Sequence, residues 1–420
     1  MALLFYQFLT LICLPLILIY HLFRGDTRRR LPHFYGLFHE EFQGKFPSKG
    51  CDWFHAVSYG ETLVMIEFIE MGLSTGRIKG QVLFTTTIEN ALTRFKDAFR
   101  KHPDAKRVFC CFYPLDLLPV LWLFFRRVNP KRFFLSETDF WPMLFWYLRR
   151  KKIPSYAINV RISERLSYWY GATPSMSRNL FRGFRRIFAQ TQTDVTRLSD
   201  FTRTNVEVLG NAKFDLLSSA PLKEKEGWIK TMNRQIICFG SFHKDEFKVI
   251  FSARSVLNPK DFLFLIAPRN LQDLSALKTR IKARSESFSN FSEGKENTEN
   301  CDYLLLDKMG VLSRIYQVCS FTIIGGSFNK VGGHNPLEPM VYRRPVLVGP
   351  GMRNYADLVR EGIKQGYLWQ VRNAQELCLY LRKYAKNPKP YIEGSLKAYR
   401  FVEENQGTLS RSWEKVDQNP

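Results

Sequence analysis

The first segment that could perform chemistry is the run His55 to Glu61, which reads HAVSYGE. It follows a predicted strand, contains a Ser/Gly turn and opens a predicted helix with a carboxylate in its first turn. Because a helix N-terminus stabilises an ionised carboxylate, Glu61 is a candidate general base. A Glu at this place also serves as an ordinary helix cap, and the pattern alone leaves both interpretations open.

Three further charged segments follow predicted strands in the first half: Ser136 to Pro142 (SETDFWP), Asn159 to Arg165 (NVRISER) and Gly210 to Asp215 (GNAKFD). Glu137 and Asp139 could form a second charged wall of a site, or cap the Pro-started helix that follows. Lys213 could face a phosphate and neutralise it. The last two segments are also compatible with surface salt-bridge clusters.

The most informative segment runs from Ile324 to Pro350 and contains GGSFNKVGGHNPLEP; we call it the Gly-rich segment. Paired glycines let the backbone approach a ligand closely and free N–H groups for a phosphate. A helix is predicted to start at Asn335 to Glu338, where Pro336 suits the first turn and Glu338 can accept from ribose hydroxyls. We therefore predict a nucleotide site here, although the segment contains no Walker A loop.

Strand and helix patterns alternate along the chain and must position these loops. Strands, Val108 to Phe112 among them, are predicted from Asp52 to Asn159 with helices between them. The pattern restarts after a polar break at about Leu216 to Lys230, with a polar loop predicted at Ser285 to Asn300 and a strand at Phe321 to Ile324. Such alternation predicts two doubly wound parallel sheets covered by helices. Three loops of the second sheet also follow strands: Gly240 to His243, Pro268 to Asn270 and Asp307 to Gly310. Ligands bind at the carboxyl ends of such strands, so we expect the site in a cleft between the two units.

Charge narrows the classes of partner. The 420 residues carry a net charge of +23, in short basic clusters such as Arg126-Arg127 and Arg149 to Lys152. This balance favours an anionic partner, and we expect anionic lipid, since no nucleic-acid-binding motif is present. Each cluster taken singly is also compatible with a solvated helix end.

The N-terminal run Leu3 to Phe23 has no formal charge. At roughly 20 residues it is long enough to span a bilayer as a helix. The arginines that follow from Arg24 to Arg30 predict that the rest of the chain lies in the cytoplasm. Gln7, Pro15 and His21 weaken the spanning interpretation, so a helix lying in the membrane interface, or a buried core helix, stays open.

Taken together these motifs resemble the 3-deoxy-D-manno-octulosonic acid (Kdo) transferases of lipopolysaccharide synthesis. Eight motifs occur in order over about Asp52 to Asn354: HAVSYGE, SETDFWP, NVRISERLS, GNAKFD, GSFHKDE, APRN, DKMG and IIGGSFNKVGGHNPLEP with PVLVGP. The resemblance implies an α/β GT-B glycosyltransferase fold with two Rossmann-like domains and an N-terminal membrane-anchor helix. We accordingly predict an anchor at 1–25, an acceptor-binding domain at 26–220 and a CMP-sugar-binding domain at 221–420.

The resemblance also implies a reaction, in which CMP-Kdo donates its sugar to a hydroxyl of a lipid A precursor with inversion at the anomeric carbon. The family's general base falls on Glu61, and residues that assist the transition state fall on Glu137 and Lys213. The family's CMP contacts fall on Pro268, Arg269, Met309, Gly310, Val311, Asn335, Pro336, Leu337 and Glu338. The implied location is the cytoplasmic side of the inner membrane, beside anionic lipids.

Four positions depart from the usual family pattern: Asp139 replaces a Glu, Val311 an acid, Phe242 a Thr and Asn270 a His. Since none of them removes Glu61 or Arg269, we expect an active enzyme. No D-x-D motif occurs, so we predict departure of CMP without a metal ion and no cofactor. The alternatives are a GT-B transferase that uses another nucleotide sugar and an inactive membrane scaffold of the same fold.

Overall fold

A computed structural model describes residues 6–15, 50–217, 223–295, 298 and 301–418. The chain divides into two compact units. Unit 1 comprises Met1–Leu216 and Asn405–Pro420, and unit 2 comprises Leu217–Glu404.

Unit 1 contains a seven-stranded sheet in the order β3-β2-β1-β4-β5-β6-β7, and every pairing is parallel. The strands are β1 (Cys51–His55), β2 (Gln81–Thr86), β3 (Val108–Phe112), β4 (Pro130–Ser136), β5 (Ser155–Val160), β6 (Arg186–Ala189) and β7 (Asn205–Val208). Trp53 lies in the buried cluster on one face of the sheet and its neighbour Phe54 in the cluster on the other. The sheet is therefore buried on both faces, which explains why its strands are nearly continuous apolar runs.

The helices of unit 1 include residues 6–15, which we call α1. The others are α2 (Tyr59–Ser74), α3 (Glu89–Phe99), α4 (Leu118–Arg127), α5 (Pro142–Arg150), α6 (Glu164–Ala172), α7 (Pro174–Phe181) and α8 (Gln192–Ser199). Among the described residues, no helix combines the length and apolar character needed to cross a membrane. Most of the anchor predicted at 1–25 lies outside the described residues, as do the arginines that follow it.

Unit 2 contains a second seven-stranded parallel sheet, in the order β10-β11-β9-β8-β12-β13-β14. Its strands are β8 (Gln235–Phe242), β9 (Phe262–Pro268), β10 (Phe288–Asn290), β11 (Tyr303–Leu305), β12 (Phe321–Ile324), β13 (Val346–Val348) and β14 (Trp369–Gln370). Its helices are α9 (Phe247–Arg254), α10 (Leu274–Lys282), α11 (Leu312–Ile315), α12 (Leu337–Met340), α13 (Ala356–Gln365), α14 (Ala374–Lys386) and α15 (Lys389–Asn405). The predicted pair of parallel sheets is thus confirmed, although β10 forms inside a stretch expected to be a polar loop.

The last helix, α16 (Thr408–Asp417), packs on unit 1 although the sequence had placed residues 221–420 in the second domain. The Trp413 indole N–H donates to the Phe68 carbonyl at 2.9 Å, and the two rings stack with centroids 4.3 Å apart. Asp215 accepts the N–H groups of Gly407 and Leu409, both at 2.6 Å. Burial of a large aromatic ring and capping of the helix start fix this end of the chain on unit 1.

Candidate functional site

In each unit the strand order reverses at one point, and the predicted motifs follow the strands on either side of it. In unit 1 the point lies between β1, which leads into Glu61, and β4, which leads into Glu137. In unit 2 it lies between β8 and β12, and β12 leads into the Gly-rich segment. Ligands of open parallel sheets bind outside the carboxyl ends of the strands at such points.

Glu61 lies in the first turn of α2, and its side chain is buried. The Ser58 hydroxyl accepts from the Glu61 N–H at 3.2 Å, and Glu61 Oε2 accepts from the Val57 N–H at 3.0 Å. Burial raises the pKa of Glu61, the bonds from Ser58 and Val57 lower it, and the nearby carboxylates of Glu137 and Asp139 raise it. The carboxyl group therefore has a capping contact and also the raised basicity of a proton acceptor.

Glu137 and Lys213 form an ion pair, with Lys213 Nζ 3.0 Å from Glu137 Oε1. A Cβ atom at Gly60 would lie 4.0 Å from Cε of Lys213. The Lys213 side chain is therefore beside the turn that carries Glu61. The structure thus brings the three predicted catalytic residues of unit 1 together at one edge of the sheet.

Asn159 explains how Lys213 is placed. Asn159 is the penultimate residue of β5 and has a left-handed φ of 60°, and its Oδ1 accepts from the Ala212 N–H at 2.9 Å. The side chain of Asn211 accepts from the Lys213 N–H at 3.0 Å and starts the short turn Ala212–Phe214. The sequence predicted the segment that starts at Asn159 but not this tethering role, for which an Asn at the end of the predicted strand was the available signal.

The rings of His55, Tyr113 and Trp141 pack together next to the segments that carry Glu61 and Glu137, and we call them the aromatic wall. The Trp141 indole N–H points at His55 Nε2 at 3.3 Å, and Tyr113 lies against both rings, with centroids 5.1 Å from Trp141 and 4.5 Å from His55. Burial lowers the pKa of His55 to about 3, so this imidazole is neutral and accepts the indole proton. The wall connects the loop after β3 to the segments that carry Glu61 and Glu137.

In unit 2 the Gly-rich segment lies against the end of β8. The Gly325 N–H donates to the Gly240 carbonyl at 2.8 Å, and a Cβ at Gly325 would lie only 2.4 Å from the Ser241 carbonyl oxygen. No larger residue fits at Gly325 without moving the backbone. The close approach at Gly325 is made to β8, whereas the sequence predicted an approach of the glycines to a ligand.

Glu246 holds this arrangement and was not among the predicted site residues. Its buried carboxylate accepts three main-chain N–H groups: those of His243 at 2.9 Å, Gly326 at 2.8 Å and Phe328 at 2.9 Å. Two of these groups belong to the Gly-rich segment, so Glu246 fixes that segment to the loop after β8. A carboxylate three residues after His243, at the start of a helical turn, was the sequence signal for it.

Two imidazoles meet at the same loop. His243 Nε2 and His334 Nε2 are 2.8 Å apart and their rings stack. Burial lowers the pKa of His334 to about 4, and the charges of Arg269 and His243 lower it as well. One of the two Nε2 atoms therefore donates and the other accepts, and the effect of Arg269 on the pKa of His334 indicates that this guanidinium is nearby.

Several of the residues predicted to contact CMP lie near the two imidazoles. Asn335 caps α12 by accepting from the Leu337 N–H at 3.0 Å, and its amide donates to Glu338 Oε1 at 3.4 Å. Burial raises the pKa of Glu338, while Asn335 and the charge of Arg269 lower it. The structure therefore brings Arg269, His334 and Glu338 near one another, and Pro336 lies buried between His334 and α12.

The other positions carried over from the resemblance differ in exposure. Pro268 is buried at the end of β9, whereas Arg269, Met309 and Gly310 are exposed. The side chain of Val311 is buried in a core cluster of unit 2, so it offers no side chain to a ligand. Leu337 is likewise buried, and its contribution to a site is limited to its backbone.

Residues 30–216 match the family model described as "3-Deoxy-D-manno-octulosonic-acid transferase (kdotransferase)". The chain is 27% identical to a 3-deoxy-D-manno-octulosonic acid transferase of Haemophilus influenzae, over 97% of this chain and 96% of the relative. By these two comparisons the chain is similar to the Kdo transferases, a family of glycosyltransferases.

Two other similarities extend this assignment. A bifunctional glycosyltransferase/methyltransferase of Fusobacterium nucleatum is 26% identical over 77% of this chain, and the match spans only 51% of that relative's length. A crystal structure of UDP-GlcNAc 2-epimerase from Neisseria meningitidis is 13% identical, with a TM-score of 0.56 over 88% of this chain and 98% of that one. At this identity the likeness concerns the fold, which is GT-B-like with two Rossmann-like sheets.

Proposed function

We propose that this Kdo transferase moves Kdo from CMP-Kdo to a hydroxyl of a lipid A precursor with inversion at the anomeric carbon. Unit 1 supplies the base that removes the proton of the acceptor hydroxyl. Unit 2 holds the CMP part of the donor. The bond between the Kdo anomeric carbon and the CMP phosphate breaks as the bond to the acceptor oxygen forms.

The observation that carries the proposal is the environment of Glu61. A buried carboxylate with a raised pKa is a better proton acceptor than an exposed one, provided that it is ionised. The Val57 N–H and the helix N-terminus favour the ionised form, and the Lys213 cation balances the neighbouring Glu137. Glu61 is thus held as a carboxylate and has the basicity needed to accept a proton.

The leaving CMP phosphate needs positive charge and N–H donors. Arg269 is exposed at the end of β9 and near His334 and Glu338, which makes it the cation in our assignment. The Gly-rich segment supplies main-chain N–H groups, and Asn335 with Glu338 supplies hydrogen-bonding groups for the ribose. Stabilisation by these groups, in a chain without a D-x-D motif, supports a transfer that needs no metal ion.

The decisive experiment incubates the membrane-reconstituted full chain with CMP-Kdo and a lipid A precursor and measures the product mass. We expect an increase by one or more Kdo residues, and the same increase in the presence of EDTA. The melting temperature in the presence of CMP or UDP tests independently which nucleotide the chain binds, and CMP should raise it more. Absence of product with CMP-Kdo together with a larger shift by UDP would overturn the proposal.

We further infer that the enzyme works on the cytoplasmic face of the inner membrane. Four apolar side chains of α1 are half or more exposed: Phe8, Leu9, Leu11 and Ile12. On α4, Arg126 lies 4.8 Å from the centre of the exposed Trp122 ring. On α5, Arg150 lies 5.6 Å from the Trp146 ring and Lys151 lies 5.9 Å from the Tyr147 ring. Aromatic rings beside cations suit the headgroup region of an anionic membrane.

Vesicle flotation tests this location. Replacing Arg149, Arg150 and Lys151 by Glu should weaken binding to anionic vesicles by roughly 100-fold, because each basic residue near the surface contributes about 1 kcal/mol. The same charge change at Lys278, Arg280 and Lys282 on α10 of unit 2 is the matched control and should have little effect. Equal losses for the two triple variants would show that α5 is not the membrane-facing surface.

A further inference from the structure

Gln7 is one of the few polar residues of the uncharged N-terminal segment, and its side chain is buried. Its amide makes two bonds to the loop that leads into α4. Nε2 donates to the Asp116 carbonyl at 3.0 Å, and Oε1 accepts from the Leu118 N–H at 3.0 Å. Both ends of the amide are therefore satisfied by main-chain groups more than a hundred residues away in sequence.

The helices α4 and α5 both lack a cap from the residue that precedes them, and Gln7 and Asp116 take that role. Leu117 and Trp141 precede the two helices, and neither makes a side-chain capping bond. Gln7 instead accepts the first N–H of α4, and the Asp116 carboxylate accepts the Met143 and Leu144 N–H groups of α5 at 3.0 and 2.8 Å. Unsatisfied N–H groups at a helix start are costly when buried, so both helices depend on this loop for their placement.

The loop also touches the catalytic edge. Tyr113, just before it, stacks on Trp141 and lies against His55. His55 starts the segment that carries Glu61, and Trp141 lies in the segment that carries Glu137. The route from Gln7 to these two segments consists of hydrogen bonds to the loop, the short stretch of chain between Asp116 and Tyr113, and ring contacts, all within unit 1.

One face of α1 is used for this contact. Gln7 is buried and Tyr6, Thr10, Cys13 and Leu14 are half-buried, whereas Phe8, Leu9, Leu11 and Ile12 are exposed. The 3.6-residue period places the two sets on opposite sides of the helix. The outward apolar side fits lipid, while the inward side carries the amide of Gln7.

We propose that Gln7 fixes α1 to the loop before α4 and is a positioning residue for the catalytic edge of unit 1. The helix is then a structural part of the enzyme as well as a membrane contact. The expected effect on transfer rests on the proposed Kdo transferase function, whereas the hydrogen-bonding claim does not.

The Gln7→Leu variant of the full chain in vesicles tests this inference. Leu makes α1 more apolar, so vesicle binding should be unchanged or stronger. Hydrogen exchange at the Leu118 amide should become about 10-fold faster, since its acceptor is lost, and exchange at Met143 and Leu144 should accelerate as well. The kcat for transfer should fall several-fold while the KM for CMP-Kdo, which binds unit 2, stays unchanged.

Two further variants complete the test. Thr10→Val is the matched control, because Thr10 is half-buried on the same face and its hydroxyl bonds to the Tyr6 carbonyl of the same helix at 2.8 Å. It should leave exchange and kcat unchanged. Gln7→Glu should recover Leu118 protection as the pH is lowered, because a protonated carboxyl group can donate and accept in the same directions as the amide. This recovery keeps the test readable if Gln7→Leu folds poorly.

Unchanged Leu118 exchange in Gln7→Leu would overturn the hydrogen-bonding claim. Faster Leu118 exchange with unchanged kcat and unchanged exchange at Met143 and Leu144 would overturn the positioning claim. A wild-type chain that transfers no Kdo would contradict the proposed function instead. The exchange rates at Met143 and Leu144 would then decide the positioning claim without an activity measurement.

Discussion

Unit 1 and unit 2 each place their functional segments where the strand order of a seven-stranded parallel sheet reverses, between β1 and β4 in one and between β8 and β12 in the other. At the edge of unit 1 the groups are side chains: a buried carboxylate and an ion pair. At the edge of unit 2 they are main-chain groups held close by glycines and by the Glu246 carboxylate. The same topology thus presents side chains that suit acid–base chemistry in one case and main-chain groups that suit a nucleotide phosphate in the other, and the loop residues make the difference.

Removal of the base should give the largest difference between the two edges. We expect Glu61→Gln to reduce kcat by about 10²- to 10⁴-fold, because the amide cannot accept the acceptor's proton. CMP affinity, measured by calorimetry, should stay at the wild-type value, since unit 2 is unaltered. Glu70→Gln on the same helix is the control. A wild-type kcat in the Glu61→Gln variant would show that Glu61 is not the general base.

The corresponding change in unit 2 is Glu246→Gln. One of its main-chain donors would then face an NH₂ group, so the Gly-rich segment should loosen and the Kd for CMP should rise by about 10-fold or more. The control is Asp245→Asn, since exposed Asp245 bonds the side chain of Asn329 from the same segment at 3.2 Å. Equal CMP affinities for the two variants would show that Glu246 does not hold the donor segment.

The charge balance of unit 1 predicts a shift in the pH profile. The Glu137 carboxylate raises the pKa of Glu61, so Glu137→Gln should lower that pKa. Because the base works ionised, the acid limb of kcat/KM should move to lower pH in this variant. A limb that stays in place or moves to higher pH would show that Glu61 does not produce it.

Each unit also contains an imidazole that folding keeps neutral, buried at His55 and half-buried at His334, which predicts a smaller effect on stability. Burial lowers the pKa of His55 to about 3 and that of His334 to about 4, below the value of about 6.5 for an unfolded chain. The unfolded state therefore binds protons first, and stability is lost as the pH falls from about 6.5 towards 4. The free energy of unfolding of His334→Gln, measured by denaturant titration, should depend less on pH than that of the wild type. An identical pH dependence would show that His334 does not contribute to the loss of stability at low pH.

Much of the fold was accessible from the sequence because buried parallel strands leave a local signal. The runs Val108–Phe112 and Phe321–Ile324 were predicted with the bounds that the structure has. The helix α4 was not predicted, because a short, nearly continuous apolar run such as LPVLWLFF is as compatible with a buried strand as with a helix. The placement of α16 depends on the contact of Trp413 with Phe68, which no local pattern encodes.

The residues of the candidate site likewise fall into those that the sequence predicted and those that it did not. Charged residues and glycines at strand ends were found because their types point to chemistry. The groups that hold them, Asn159 and Glu246, act through main-chain partners 53 to 82 residues away in sequence. Gln7 is the clearest case: it seemed only a weakness in an apolar segment, whereas its amide caps a helix of the sheet domain.

The return of the chain to unit 1 at α16 has a consequence for biosynthesis. A ribosome makes the sheet of unit 1 first, but the ring of Trp413 that covers Phe68 arrives only after all of unit 2 has been translated. Until then the part of α2 that Trp413 covers stays exposed, and transiently exposed apolar surface of this kind promotes aggregation. Unit 1 is therefore completed only after unit 2 has been made, and a chain truncated before α16 has an unfinished first unit.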